Sequence, residues 1–388
     1  MILGGYMIII KDGSHAKRII KLLLCTGEFP YQSLGILGEI HSVKRAVKRM
    51  SEVHEVKTDS EKIEFFGKIV NISGKGQLKT IRLNAYAFGL VKSLFPEMME
   101  HYQYHTRNHR FRGDSVSVER NHRVAEAIAM FLMAGVDLFS DRVPALETAS
   151  TNRKEYMDPV FYHCRQLKSI VVDELKKNQY TRIVGSIFYE SGCYSIYNAR
   201  DSVMMLSGEG ESKTKRHLES IAKKNAFYDS VDNALLFGKS YDVAERTLLA
   251  VDSNPRESEV FGNIYKAYHF IPMDAFGVKL IQLFTTPYWR EELIDQLYES
   301  HEVRKEVGNF QYDAKSGDMH YFSFLDSDLV KLRSVRNHIL KEKEDLTVLC
   351  FKEQEAFLRS YMGPSVEIKL YDIEEIMDTL ECVRRDPL

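Results

Sequence analysis

From about residue 155 to the C-terminus, short apolar runs alternate with amphipathic segments of helical period, and that alternation admits few architectures. TRIVGSIFYE, CYSIYNAR and DSVMMLSG read as three closely spaced strands, with turns at Ser191-Gly192 and near Asp201. DPVFYHCRQLKSIVVDELKKN before them and KTKRHLESIAKKN after them read as helices, and NALLFG and YDVAERTLLA add a strand and a helix. Beyond these the sequence predicts strand GVKLIQLFTT, helix WREELIDQLYE, hairpin VGNFQYDAKSGDMHYFSFL, helix SDLVKLRSVRNHI, strand LTVLCF, helix KEQEAFLRSYMG, strand VEIKLYD and helix IEEIMDTLE. Strands alternating with helices argue for a largely parallel sheet with helices on its faces. The expected class is mixed α/β, with residues 155–388 as an α/β domain.

The first part follows another pattern. In SHAKRIIKLLLCTGEF, Ser14 caps a helix whose apolar stripe is Ala16, Ile19, Ile20 and Leu23, closing near Gly27. Pro30 suits the first position of a short second helix, PYQSLGILG, ended by Gly38. HSVKRAVKRMSEV follows within a few residues. Val43, Ala46, Val47 and Met50 fall on one stripe of this third helix, so Lys44, Arg45, Lys48 and Arg49 occupy the other face. Two β-type runs, Phe65 to Ile72 and Leu78 to Leu83, then surround the turn Ser73, Gly74, Lys75, Gly76. Helix, helix, basic helix and glycine-tipped hairpin is the order of a winged helix-turn-helix. In that fold the third helix enters the major groove, its N-terminal residues nearest the base edges, so Ser42, Lys44, Arg45, Lys48 and Arg49 are the candidates for the groove, while the wing lays Lys75 or Lys79 beside a phosphate. The bland alternatives are a solvated basic face and a winged helix that pairs with protein.

Charge separates the two parts. The chain has a net charge of −2, yet residues 1–125 hold 20 Lys and Arg against 12 Asp and Glu, and the remainder 33 against 43. A basic module on an acidic body is expected where only the module meets a polyanion. Residues 1–98 are the expected winged-helix domain. Residues 99–154 are an expected connector with a linker helix at 122–136. The connector's Arg107, Arg110, Arg112, Arg120 and Arg123 make a candidate phosphate-binding arm or a plain linker. The apolar surface of HRVAEAIAMFLMAGV (Ala125, Ile128, Ala129, Phe131, Leu132) suits either a homodimer contact or burial inside one chain.

The order helix, three strands, helix, strand resembles the core of the restriction-endonuclease-like fold. Its chemistry needs an Asp on one strand and an acidic-x-Lys triplet on the next, to hold a divalent metal and activate water. Asp201 and the triplet Glu211, Ser212, Lys213 match those letters but are poorly placed, since Asp201 falls in the turn between two strands and the triplet lies beyond the apolar run Val203 to Leu206, where Ser212 reads as a helix cap. No phosphate loop, dinucleotide fingerprint, H-E-x-x-H or nucleophile elbow is present, and no cofactor is expected. His101, His105 and His109 would share a face on one continuous helix, but they lack an accompanying Glu or Cys. Five scattered cysteines suggest neither disulfides nor a zinc knuckle. The apolar start MILGGYMIII is too short for a signal or membrane helix, and Met7 is an alternative initiator. A cytoplasmic chain without membrane contact is the expectation. Trp289 reads as a packing anchor.

Taken together, LLLCTGEFPYQSLGILG, HSVKRAVKRMSEV, TIRLNAYAFGL and CYSIYNARDSVMML resemble the replication-relaxation family of plasmid and integrative-element proteins. The likeness covers about the first 95 residues best. It implies a winged helix followed by an endonuclease-like domain, double-stranded DNA as partner, and a role in replication, mobilisation or transcriptional control of a mobile element. Two other classes remain: a metal-dependent nuclease, and an assembly adaptor that binds a replication or conjugation protein.

Overall fold

The computed structural model describes residues 7–58, 63–107, 115–138, 158–169, 182–206, 208–225, 230–298, 302–303, 312–317, 319–342, 345–364 and 366–387. The chain divides into two compact units, residues 1–145 with 386–388, and residues 146–385. Both contain helices and sheets, so the mixed α/β class holds.

The first unit runs β1 (Ile8–Ile10), α1 (His15–Thr26), β2 (Phe29–Pro30), a 3-10 helix (Tyr31–Leu37), α2 (Ile40–Met50), β3 (His54–Thr58), β4 (Ile63–Gly67), β5 (Val70–Ser73), β6 (Thr80–Leu83), α3 (Phe88–Leu94), α4 (Pro96–His101) and α5 (Ser115–Met133). Helix α1 starts where Ser14 accepts the Lys17 amide and stops where Gly27, at φ +74°, returns its amide to Leu23. Its buried Ile19, Ile20, Leu22, Leu23 and Leu24 form the centre of the unit, against which α2, α4 and α5 pack.

The expected strand 65–72 is two strands. Ile69 leaves the ladder to donate its amide to the Met50 carbonyl at 2.8 Å, and Gly67 turns the chain at φ +155°. Strand β4 therefore pairs with β3 in a three-stranded sheet with β1, while β5 pairs with β6, and β6 with β2. The expected second helix is a 3-10 helix throughout. The expected linker helix begins earlier, at Ser115, and packs on α1 and the 3-10 helix. Ala125, Ile128, Ala129, Phe131 and Leu132 are buried within the chain, so burial rather than a dimer contact accounts for that apolar surface.

The second unit runs β7 (Val160–His163), α6 (Cys164–Ser169), β8 (Ile183–Tyr189), β9 (Gly192–Arg200), α7 (Gly208–Asn225), β10 (Asn233–Gly238), α8 (Tyr241–Ser253), α9 (Pro255–Ile264), β11 (Ala267–Pro272), α10 (Ala275–Phe284) and α11 (Trp289–Leu297). It continues with β12 (Glu302–Val303), β13 (Ala314–Ser316), β14 (Met319–Ser323), α12 (Leu329–Glu342), β15 (Leu346–Phe351), α13 (Glu355–Met362), β16 (Glu367–Tyr371) and α14 (Ile373–Thr379). These strands form two sheets of identical topology. In each, three strands meander antiparallel (β7, β8, β9; β12, β13, β14), and two more follow parallel after helices (β10, β11; β15, β16). The sheets are thus mixed rather than largely parallel. Equivalent Asp274 and Asp372 cap the closing helices α10 and α14 by accepting the Gly277 and Glu374 amides.

Three expected elements differ. DSVMMLSG is not a strand: Asn198 accepts the Arg200 amide, Arg200 sits at φ +55°, and this Asx turn ends β9. The missing meander strand is Val160–His163, within a segment whose period reads as helix. GVKLIQLFTT forms most of helix α10, and the strand slot beside β10 belongs to Ala267–Pro272.

The edge of β11 is sewn to the corner after β14. Phe270 donates its amide to the Ser327 carbonyl at 2.9 Å, His269 Nδ1 lies 2.7 Å from the Asp326 carbonyl, and Asp328 accepts the Tyr268 and Val330 amides. Asp326, buried, pairs with Arg290 at 3.0 Å. No helix among the described residues is long and apolar enough to cross a membrane. All five cysteines are buried and unpaired.

Candidate nucleic-acid interface

Helix α2 is amphipathic as its spacing predicts. Val43, Val47 and Met50 are buried, Ala46 is half-buried, and His41, Ser42, Arg45, Lys48 and Arg49 are exposed, with Lys44 half-buried beside them. Beyond the helix, β5 and β6 are joined by a turn that carries exposed Lys75 and half-buried Lys79. Gly74 holds that turn at φ +78°, where a Cβ would lie 2.2 Å from the Leu78 carbonyl oxygen, so a side chain there would force the hairpin tip to move.

What joins helix and hairpin is Tyr31. The Lys79 ammonium sits 3.9 Å from the centre of its ring and the Lys44 ammonium 5.7 Å away. Each ammonium is attracted by the ring quadrupole, each contact contributing about 0.5–1 kcal/mol at such half-exposed positions. The backbone fixes the same geometry. Tyr31 donates its amide to the Lys79 carbonyl at 2.8 Å, and Gln32 Nε2 donates to the Gln77 carbonyl at 3.0 Å. Behind them the buried Glu28 carboxylate accepts the Thr80 hydroxyl. On the far side of the 3-10 helix, Ser33 donates its hydroxyl to Glu126 of α5. The basic helix and the basic turn are therefore presented as one preorganised surface, which lowers the ordering cost of binding.

Glu39 caps α2, with its carboxylate accepting the His41 amide at 2.9 Å and the Ser42 amide at 2.7 Å. Neither Tyr31 nor Glu39 stands out in the sequence reading. An acidic residue directly before a helix is a capping signal, but placing the helix start at His41 hid it. The Tyr31 contacts join residues 13 and 48 positions away and leave no local signal.

The other expected site residues are distributed differently. Arg110 and Arg112 lie outside the described residues. Arg107 stacks on Phe88 at 5.4 Å, and Arg123, on α5, pairs with Glu119 at 2.8 Å, so part of the expected arginine arm is spent on local structure. The helix carrying His101 changes to π-type winding over Tyr102–Thr106, and His109 lies outside the described residues. No group of three metal-ligating side chains occurs among the described residues. Trp289 is buried and stacks on Phe284, as a packing anchor would.

Asp201, Glu211 and Lys213 do not converge. Asp201 is exposed in the turn after β9, with Lys239 3.9 Å away. Glu211 is fully buried on α7, where it accepts the Tyr197 hydroxyl at 2.8 Å in a chain that continues to Tyr265 and Ser195. Lys213, two residues along the same helix, points elsewhere and pairs with Glu209 at the surface. The helix starts at Gly208, with Glu209 and Glu211 in its first turn, so Ser212 is inside it rather than its cap. Glu211→Ala is therefore expected to lower the free energy of unfolding by about 2 kcal/mol, by removing the acceptor of a buried hydroxyl. Urea denaturation measures this; unaltered stability accompanied by lost DNA cleavage would assign Glu211 to chemistry instead.

Comparison with family models, with curated proteins and with solved structures finds no match.

Proposed function

We propose that the first unit is a winged helix-turn-helix that binds double-stranded DNA, with α2 in the major groove and the β5–β6 hairpin as the wing. The observation that carries this reading is the shared ring of Tyr31. It gathers a lysine from the helix and a lysine from the wing onto one surface, beside the exposed Arg45, Lys48 and Arg49. Strand β2 pairs with β6, which favours helix and wing meeting a duplex as one body. The positive balance of residues 1–125 favours the same polyanion.

The resemblance to replication-relaxation proteins extends the reading to replication, mobilisation or transcriptional control of a mobile element, with a replication or conjugation protein as second partner. For the α/β unit, the order β7, β8, β9, α7, β10 supports an endonuclease-like core. In our reading that core serves as a body for the DNA-binding unit, since Glu211 is held in a buried hydroxyl chain while Asp201 and Lys213 are engaged elsewhere at the surface.

Fluorescence anisotropy with a mixed-sequence duplex tests the reading. With Lys44, Lys48, Lys75 and Lys79 on phosphates, log K is expected to fall against log salt with a slope of about −4. Absence of binding at low salt overturns it, and co-purification with a protein partner would then favour the adaptor.

A further inference from the structure

The start of α2 carries a carboxylate at a place where helices commonly offer their amides to a phosphate. Glu39 is fully exposed, and both of its oxygens are held by the chain, Oε1 by the His41 amide and Oε2 by the Ser42 amide. The His41 amide, then the Ser42 hydroxyl and amide, keep the carboxyl down at about 2, so it is charged wherever duplex DNA is stable. A phosphate is repelled from this helix end, because the amides are satisfied and the charge is of the wrong sign. An ionised carboxylate has about four acceptor positions, and the two amides that it accepts leave room for a further donor.

Of the groups on the floor of the major groove, only an exocyclic amine supplies that donor. Adenine N6 sits beside the N7 acceptor, which repels a carboxylate, whereas the free hydrogen of cytosine N4 has no acceptor next to it on its own base. We propose that Glu39 is a specificity-determining residue, accepting the N4 amine of a cytosine and selecting a C·G pair at the position met by the start of α2. The inference rests on the DNA-binding reading above and adds its sequence preference. The rigidity of the cap supports it: a carboxylate fixed by two backbone amides loses little freedom on meeting a base.

The test is selection from a randomised duplex library by the full chain, followed by sequencing, with Glu39→Gln and Glu39→Ala in parallel. The wild-type pool is expected to show one strongly preferred cytosine, whose replacement by thymine weakens binding about tenfold or more. Glu39→Gln is expected to move that preference to adenine, whose N6 and N7 a carboxamide can bridge, and to bind mixed-sequence DNA several-fold tighter through loss of a negative charge. Glu39→Ala is expected to lose the preference without acquiring another; loss of the cap is expected to lower its thermal midpoint by a few degrees, and a cooperative transition well above the assay temperature in all three proteins excludes a folding defect. A wild-type pool without a cytosine preference, or the same preference in all three pools, overturns the role of Glu39 while leaving DNA binding in place. Retention of no duplex by any of them overturns both.

Discussion

Arg45→Ala and Lys48→Ala together are expected to weaken duplex binding about a hundredfold near 0.1 M salt, since each lost charge-assisted contact is worth about 1.4 kcal/mol, or tenfold. Both side chains are exposed on α2, so the fold is expected to survive their removal. The two substitutions are distinguishable singly. On the proposed reading Lys48→Ala is expected to remove a phosphate contact, weakening all sequences alike and reducing the salt slope by about one. Arg45→Ala, nearer the start of the helix, is expected to relax preference at one base pair and to change the slope less. Anisotropy titrations across salt, on mixed and selected duplexes, separate these outcomes. Affinity unchanged in the double variant would remove α2 from the interface, whatever the wing does.

The surface just invoked was legible in the sequence because its evidence is local. A stripe at Val43, Val47 and Met50 puts Arg45 and Lys48 on the opposite side by the 3.6-residue period alone. The joint at Tyr31 was not legible, because cation–π contacts with Lys44 and Lys79 depend on how the 3-10 helix meets the hairpin. The misread elements have a similar cause. Helix α10 is buried on nearly every side, with Phe276, Leu280, Ile281, Leu283 and Phe284 all inside, so no polar face marks its period and V-K-L-I mimics a strand. Asp274 just before it was the missed capping signal. Conversely, Val160–His163 is a short strand followed at once by a helix, and four residues are too few to show alternation. Glu211, Ser212 and Lys213 matched a catalytic pattern in letters, but on a helix an i, i+2 pair cannot face one metal. The duplicated sheet topology left no trace in the sequence reading, since it resides in strand order and direction.

Arg290→Ala is expected to lower the stability of the α/β unit by about 3 kcal/mol at neutral pH, the low end of the usual cost of breaking a buried ion pair, because the arginine itself is partly hydrated. Its side chain is 40% exposed whereas that of Asp326 is 5% exposed, so the substitution leaves a charge behind in the interior. Burial opposes ionisation of Asp326. The cations Arg290 and Lys331, with His269 and the Asp328 amide, more than offset it and hold the carboxyl below its ordinary range. Burial, then the charge of Asp326, pushes the neighbouring Asp328 the other way. A carboxyl depressed in the fold contributes stability that is present above its unfolded value of about 4 and is lost as pH falls through the folded value. For Asp328 the sign is reversed, and its unfavourable contribution is relieved by acid. Without Arg290, Asp326 joins Asp328 in this second class. The variant should therefore differ most from wild type at pH 7 and converge with it as pH falls towards 4, where protonation discharges the orphaned carboxylate. Urea denaturation at both pH values measures the convergence, and Asp326→Asn in the Arg290→Ala background should restore part of the loss at pH 7. Equal stability of Arg290→Ala and wild type at pH 7 would show that the corner is held by its backbone bonds to β11, with the ion pair incidental to it.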